Sequence, residues 1–109
     1  MRNKYHNRKV TRDGETFDSV KEYRRFCELR LLERAGAVTD LRRQVKFELI
    51  PAQRVDDKVV ERACSYVADF TYMENGQQVV EDAKGMRTQE YRLKRKLMLW
   101  VHGIRIRET

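Results

Sequence analysis

The chain has 109 residues, enough for one small domain with a single core. Hydrophobic residues make up 40% and charged residues 38%, so a core is available beneath a heavily charged surface. The formal net charge of +7 favours a polyanionic partner, nucleic acid before an anionic membrane surface. No apolar run approaches the roughly 20 residues of a membrane span, and the N-terminus is polar, so we expect a cytoplasmic protein with no membrane partner.

The cysteines and histidines do not predict a zinc site. Cys27 and Cys64 stand alone, without the CxxC spacing of a metal or redox motif, and His6 and His102 are far from both in sequence. The two cysteines are therefore expected to be reduced thiols in a cytosolic protein.

The first 17 residues divide into an arm and a turn. Residues 1–9 are basic and lack apolar periodicity, so we expect an arm that either lies along phosphates or acts as a solubilising tail. Asp13-Gly14 predicts a small hairpin between Val10-Thr11 and Thr16-Phe17. Residues 10–109 form the predicted domain.

A first helix is predicted from about Ser19 to Ala35, ending before Gly36. Its predicted apolar face consists of Val20, Tyr23, Cys27 and Leu31. A second stripe of Glu22, Phe26 and Leu29 adjoins that face. Ser19-x-x-Glu22 matches a capping box, in which Glu22 reaches back to the Ser19 amide, so this acid has a structural explanation as well as a functional one.

Two predicted core strands follow. Residues 44–50 alternate, with Val45, Phe47 and Leu49 on one side, and Pro51 ends the strand. Residues 52–62 are charged and irregular, which predicts a loop at the margin of the sheet. Residues 63–72 are apolar on both sides, as in a central strand. In that strand, Tyr66, Ala68, Phe70 and Tyr72 are expected to share one face, opposite Asp69.

The strongest local signal is Asn75-Gly76, because this dipeptide favours a two-residue hairpin turn. With that turn, Asp69 lies directly across from Asp82, and Lys84 shares the face of Asp82, whereas Glu81 points away. Directly opposed like charges are unfavourable in a sheet. Either a divalent cation lies between the carboxylates, or both are solvated acids at a sheet edge and Lys84 neutralises one.

A second helix is predicted after Thr88, its N-cap, and Gly103 ends it. Its predicted core stripe is Leu93, Leu97, Trp100 and Val101. The first half is unusually basic, which opposes the helix dipole and suggests phosphate binding, although a solvated charged face would look the same. Residues 104–107 alternate, which predicts a last short strand.

Asp69 followed by Asp82-Ala83-Lys84 on the next strand resembles the active-site motif of the PD-(D/E)xK nuclease superfamily, with Ala68 in place of the usual proline. The chain also resembles, over nearly its full length, a family of short phage-encoded proteins that is placed in this superfamily and was long of unassigned function. The matching segments are Lys9-Val10-Thr11, Phe17-Asp18-Ser19, Glu22, residues 66–70, residues 81–85 and Lys94-Arg95-Lys96.

The resemblance implies an α/β fold: one restriction-endonuclease-like αβββαβ core with a mixed sheet between helices. It implies a Mg²⁺-dependent endonuclease acting on DNA, with Mn²⁺ able to substitute. Asp69, Asp82, the Ala83 carbonyl and Glu22 would form the metal site, and Lys84 would position and activate water. The candidate nucleic-acid contacts are Arg87, Thr88, Tyr91, Lys94, Arg95, Lys96 and Gln44.

Branched DNA, such as a recombination intermediate, is the expected substrate, because small phage and archaeal members of the superfamily act on junctions. Cutting two strands of a junction would call for a homodimer. A phage-encoded enzyme would act in the host cytoplasm. Two alternatives remain open: a non-catalytic nucleic-acid-binding module or nuclease subunit, and a basic structural or adaptor protein.

Overall fold

The computed structural model describes residues 9–83 and 87–109. Most of the predicted basic arm therefore lies outside the described residues. The elements are β1 (Val10–Arg12), β2 (Glu15–Phe17), α1 (Val20–Arg34), β3 (Thr39–Ile50), β4 (Gln53–Val55), β5 (Lys58–Glu61), β6 (Cys64–Glu74), β7 (Gln77–Asp82), α2 (Gln89–His102) and β8 (Arg107–Glu108). Neither of these two helices is long and apolar enough to cross a bilayer.

The main sheet has the strand order β3-β6-β7-β8. β3, β6 and β7 are antiparallel neighbours, and β8 runs parallel to β7 after the α2 crossover. The predicted α/β class with a mixed sheet is confirmed. The small β1–β2 hairpin at Asp13-Gly14 is confirmed as well.

Two apolar clusters occupy opposite faces of this sheet. The cluster on the α2 side contains Leu49, Tyr66, Ala68, Val80, Tyr91 and Met98. The cluster on the α1 side contains Leu29, Val38, Phe70 and Tyr72. Successive side chains of β7 enter different clusters, because they point to opposite faces of the sheet: Val79 packs against the α1-side cluster and Val80 belongs to the α2-side cluster. Both faces of the sheet thus carry an apolar cluster that packs against a helix.

The β6–β7 hairpin has the predicted register. Asn75 and Gly76 form its two-residue turn with positive φ angles of 52° and 76°. Glu74 pairs with Gln77, and the last of these pairs joins Phe70 to Glu81. Continuing that register by one residue places Asp69 opposite Asp82.

One prediction about β6 is wrong, because its even-numbered residues do not share a face. Tyr66 and Ala68 pack on the α2 side, whereas Phe70 and Tyr72 pack on the α1 side. The change of face occurs around Asp69. In β3, Arg43 pairs with Phe70 and Val45 pairs with Ala68, and Gln44 between them has a φ of +54°. The strand pair is therefore irregular where the two aspartates lie.

The ends of both helices were predicted correctly, but the buried faces were not. Ser19 and Thr88 are the N-caps, and Gly103 is the C-cap of α2. In α1, Leu31 is 62% exposed, and the buried stripe is the adjoining one that contains Glu22 and Leu29. The apolar residues of α1 surround the helix, so sequence periodicity does not select the face that meets the sheet.

The predicted core stripe of α2 is also wrong. Trp100 is 86% exposed, Leu93 and Val101 are exposed too, and Leu97 is only partly buried. Tyr91 and Met98, seven residues apart, are the buried residues of this helix. Polar and charged neighbours flank Tyr91 in the sequence, from Gln89-Glu90 before it to Arg92 after it, so its region resembles a surface more than a core.

Three segment predictions need smaller corrections. β3 begins at Thr39, five residues before the predicted start. Residues 52–62 contain the β4–β5 hairpin instead of an irregular loop. The last strand is Arg107–Glu108, because Ile104 and Ile106 pack on the α2-side cluster before the chain reaches β7. Cys27 and Cys64 are free thiols, both half-buried.

Candidate metal centre

Three carboxylates converge at the start of α1 and the middle of β6. One oxygen from each of Asp18, Glu22 and Asp69 lies within 4.8 Å of the others. Asp18 directly precedes the N-cap of α1, and Glu22 lies in its first turn, so the beginning of this helix places both acids beside the sheet. Asp18 was not among the predicted site residues, although it lies in the Phe17-Asp18-Ser19 match.

Asp82 extends this cluster from the other side of Asp69. The two carboxyl groups are near enough for Asp82 to affect the pKa of Asp69. Burial, the Asp82 hydrogen bond and charge, and then the charge of Glu22 raise the pKa of Asp69 to about 8. The Ala83 N–H opposes that rise by donating to Asp69 Oδ2 at 2.9 Å. Within the predicted opposed pair, Asp69 therefore keeps its proton to a higher pH than an ordinary aspartate does.

Tyr66 fixes the orientation of Asp82, which is only 1% exposed. The Tyr66 hydroxyl donates to Asp82 Oδ2 at 2.5 Å. Burial and the neighbouring Asp82 charge raise the pKa of Tyr66, so the phenol keeps its proton and remains a donor. The α2-side core thus supplies one hydrogen bond to the deepest carboxylate of the site.

Glu22 is 2% exposed and is held by donors at both carboxylate oxygens. Oε2 accepts from the Asp18 amide at 3.0 Å. Oε1 accepts from Gln44 Nε2 at 3.1 Å and from Arg43 Nη2 at 3.3 Å. Burial raises the pKa of Glu22, against these hydrogen bonds. The predicted capping box is half right: Ser19 Oγ accepts from the Glu22 N–H, but the Glu22 carboxylate contacts Asp18, one residue before Ser19.

Glu81 belongs to a different cluster on the opposite face of β7. Arg25 donates to both of its oxygens, at 2.6 and 3.0 Å, and Tyr72 and Thr109 donate to it as well. Its side chain is fully buried. The predicted alternation is confirmed: Asp82 faces Asp69, whereas Glu81 joins α1 to β7.

This donor set fits a hard divalent cation. Oxygens of Asp18, Glu22 and Asp69 lie within 4.8 Å of one another, and burial, followed by neighbouring carboxylates, raises the pKa of Glu22 and of Asp69, the latter beside Asp82. Carboxylate oxygens are the ligands that Mg²⁺ takes, and a cation among them would offset their mutual repulsion. The predicted Ala83 carbonyl ligand stays a prediction, since the Ala83 group that contacts the site is its N–H. Lys84 lies outside the described residues.

The predicted nucleic-acid contacts have mixed surroundings. Tyr91 is 6% exposed and donates to Glu108, so it is a core residue. Arg87 and Arg95 also donate to Glu108, and Lys94 pairs with Glu90. Thr88 is occupied as the N-cap, and Gln44 faces Glu22. Lys96 lines an open cavity of about 320 Å³ with Arg95, Leu99, Arg105, Ile106 and Glu108.

No curated protein matches the chain, and no solved structure does either. A family model described as "Protein of unknown function (DUF1064)" matches residues 2–104. This match spans both helices, β1 to β7 and every carboxylate of the candidate metal centre. The chain therefore belongs to the DUF1064 protein family.

Proposed function

We propose that the protein is a Mg²⁺-dependent endodeoxyribonuclease. The observation that carries this proposal is the cluster of Asp18, Glu22 and Asp69 at the beginning of α1, with Asp82 beside Asp69 at the open end of the hairpin. An acid pair of this kind is costly in a partly buried place, so we infer that it is kept for binding a cation.

The proposed fold is the restriction-endonuclease-like αβββαβ core. Its elements would be α1, the antiparallel strands β3, β6 and β7, the crossover helix α2 and the parallel strand β8. The hairpins β1–β2 and β4–β5 would be additions to that core. In this arrangement the acids lie where β6 and β7 meet the beginning of α1.

Asp69, Asp82, Glu22 and Asp18 would hold the metal ion, and Mn²⁺ would substitute for Mg²⁺. A bound Mg²⁺ polarises a phosphate oxygen and lowers the pKa of water. The Tyr66 hydroxyl and the Ala83 N–H keep the two aspartates oriented. Lys84 would position the attacking water, as the resemblance implies. That water would add to phosphorus while the bond to the 3′ oxygen breaks, leaving a 5′-phosphate.

The net charge of +7 supports DNA as the substrate. The domain has little room for a separate module that reads sequence, which favours recognition of shape and backbone, as in branched DNA. Lys96 and Arg105 on the α2–β8 surface are the exposed cations that we expect to contact phosphates. Cutting two strands of a junction would require two copies of the site.

The test is cleavage of supercoiled plasmid, linear duplex and a four-way junction with Mg²⁺ or Mn²⁺. Wild type should cut, whereas Asp69→Asn and Asp82→Asn should lose at least a hundredfold in rate, because each removes a charged metal ligand. Asp40→Asn is the matched control, since it makes the same chemical change at an exposed aspartate outside the cluster. Lys84→Ala tests the role that the resemblance implies for Lys84.

Calorimetric titration with Mn²⁺ separates the metal site from the reaction. Wild type and Asp40→Asn should bind the ion, and Asp69→Asn should not. Failure of both the free protein and its DNA complex to bind metal would refute the nuclease proposal. Tight DNA binding that needs no metal would then indicate a non-catalytic module.

A further inference from the structure

The outward face of α2 is apolar and basic at once, and the rest of the described chain leaves it uncovered. Trp100 is 86% exposed, Leu93 59% and Leu99 53%. Arg92 and Lys96 lie among these side chains and are exposed as well. The helix packs on the sheet with its opposite side. The outward face therefore consists of Arg92, Leu93, Lys96, Leu99 and Trp100.

The charge around this face has one sign. From residue 91 to residue 107 the chain contains six cations and no acid. The side chains of Arg92, Lys96 and Arg105 have no ion-pair or hydrogen-bond partner among residues 9–83 and 87–109. Arg105 lines the same cavity as Lys96, and the acid of that cavity, Glu108, already pairs with Arg95. Three available cations favour a polyanion, and they would repel a second copy of the same face.

The position of Lys96 distinguishes between the ligands that could cover this face. Lys96 follows Leu93 by three residues and precedes Trp100 by four, so the three side chains are neighbours on one stripe of the helix. An apolar protein groove or the acyl chains of a lipid would bury Lys96 together with its neighbours, and an ammonium without a counter-charge is costly to bury. A nucleic-acid strand avoids this cost, because a phosphate pairs with the cation while a base stacks on the indole.

The base that stacks on an exposed indole must be unpaired, since the bases of a duplex are already stacked on each other. We propose that Trp100 is a stacking platform for an unpaired base of DNA, and that Arg92, Lys96 and Arg105 hold the phosphates beside it. This inference rests on the proposed function for the choice of DNA as the polyanion, but not on a metal ion or on cleavage. It gives the enzyme a contact that branched DNA with unpaired bases offers and a fully paired duplex does not.

Trp100 is the single tryptophan of the chain, so its fluorescence reports on this face alone. The full chain is titrated in EDTA with oligothymidine, with a fully paired duplex of equal length, and with phosphatidylcholine vesicles that contain phosphatidylglycerol. Oligothymidine should quench the emission, and the duplex should bind without quenching it. Oligothymidine that binds and leaves the emission unchanged would overturn the inference and leave the nuclease proposal standing. A blue shift on the vesicles without quenching by oligothymidine would overturn it too, by making the face a lipid contact.

Substitutions at Trp100 separate stacking from general attraction. Trp100→Ala should weaken the binding of labelled oligothymidine about tenfold by fluorescence anisotropy and leave duplex binding unchanged, whereas Trp100→Phe should retain most of the affinity. Leu31→Ala is the matched control, because Leu31 is an apolar residue of α1 that is 62% exposed, and it should bind both DNAs as wild type does. Equal losses for alanine and phenylalanine, or equal losses on both DNAs, would overturn the inference. A chain that binds neither DNA would refute it together with the choice of DNA as substrate.

Discussion

Two consecutive residues of β3 hold Glu22 in the candidate metal centre. Arg43 and Gln44 both donate to Glu22 Oε1, although neighbours in a regular strand point to opposite faces. The φ angle of +54° at Gln44 breaks the alternation at this point, between the residues of β3 that pair with Phe70 and Ala68. A strained conformation of about 1–3 kcal/mol is thus located at the acid cluster.

We expect glycine to be better tolerated than alanine at this position. Both Gln44→Gly and Gln44→Ala remove the hydrogen bond to Glu22, but only glycine relieves the positive φ. Gln44→Gly should therefore be more stable than Gln44→Ala by about 1 kcal/mol, measured by urea unfolding. Both variants should bind Mn²⁺ more weakly than wild type, because Glu22 has lost a donor that orients it.

The matched control is Lys46, an exposed residue of the same strand that pairs regularly with Val67. There the order should reverse, and Lys46→Gly should be less stable than Lys46→Ala. If alanine is the more stable replacement at both positions, Gln44 is not strained in the folded protein.

The sequence predicted the acid pair but not its full surroundings. Asp69 and Asp82 could be placed opposite each other, because a two-residue turn at Asn75-Gly76 determines the register of the whole hairpin. Gln44 was a candidate through resemblance. Arg43 was not, since regular alternation puts it on the other side of β3, and a single residue at positive φ leaves no periodic signal.

Among the elements, the helix ends were predictable and the helix faces were not. The caps at Ser19 and Thr88 depend on hydrogen bonds within three residues, so local sequence determines them. Which face of α2 is buried depends on the sheet it meets. Tyr91 and Met98 meet that sheet, while Trp100 remains in solvent, and nothing within the helix sequence distinguishes these outcomes.

Glu108 connects β8 to the beginning of α2. Its carboxylate accepts hydrogen bonds from Arg87, Tyr91 and Arg95, at distances between 2.6 and 3.1 Å. The Arg87 hydrogen bond and then those from Tyr91 and Arg95 outweigh the effect of burial and lower the pKa of Glu108 to about 2. The parallel strand and its crossover helix are thus joined by one ionised side chain.

This arrangement predicts how the free energy of unfolding changes as the pH falls below 4.5. Because the folded-state pKa lies below the ordinary value of 4.5, the stabilisation by Glu108 is present above pH 4.5 and is lost as the pH falls toward 2. Glu108→Gln should lower the free energy of unfolding by about 1–2 kcal/mol at pH 7, after allowance for solvent screening. The difference from wild type should shrink between pH 4.5 and 2.

Urea unfolding at a series of pH values measures this difference. Glu90→Gln is the control, because Glu90 is an exposed acid of the same helix with 77% of its side chain in solvent. The free energy of unfolding of Glu90→Gln should change with pH in the same way as that of wild type. The same pH dependence for Glu108→Gln as for wild type would mean that Glu108 has an ordinary pKa in the folded chain.

At the scale of the whole molecule, composition predicted one charged domain, and the element order predicted the mixed sheet. The β4–β5 hairpin was not predicted. Its turn is Asp56-Asp57, which lacks the glycine of a strong hairpin signal, and its strands are short and fully exposed. Sequence patterns identify strands that bury a face, and every residue of this hairpin is exposed within the part of the chain that the structure describes.

The charge of the whole molecule leads to the last prediction, on DNA binding. A +7 chain should bind duplex DNA with an affinity that falls as the salt concentration rises. The logarithm of the binding constant should fall with the logarithm of the salt concentration, with a slope of about 0.9 for each phosphate contacted. Replacing both Lys96 and Arg105 with alanine should reduce that slope by about 2, because each cation on the α2–β8 surface would release one counterion fewer. Fluorescence anisotropy measures the slope in an Asp82→Asn background, which prevents cleavage.

The choice of control makes this prediction specific to one surface. Lys58→Ala removes a cation of the β4–β5 hairpin and should leave the slope unchanged, because the three acids of that hairpin outnumber its two cations. An equal change in slope for cations on both surfaces would mean that net charge alone attracts the polyanion. A change confined to Lys96 and Arg105 would locate the phosphate path along α2 and β8, the two elements that Glu108 holds beside the acid cluster.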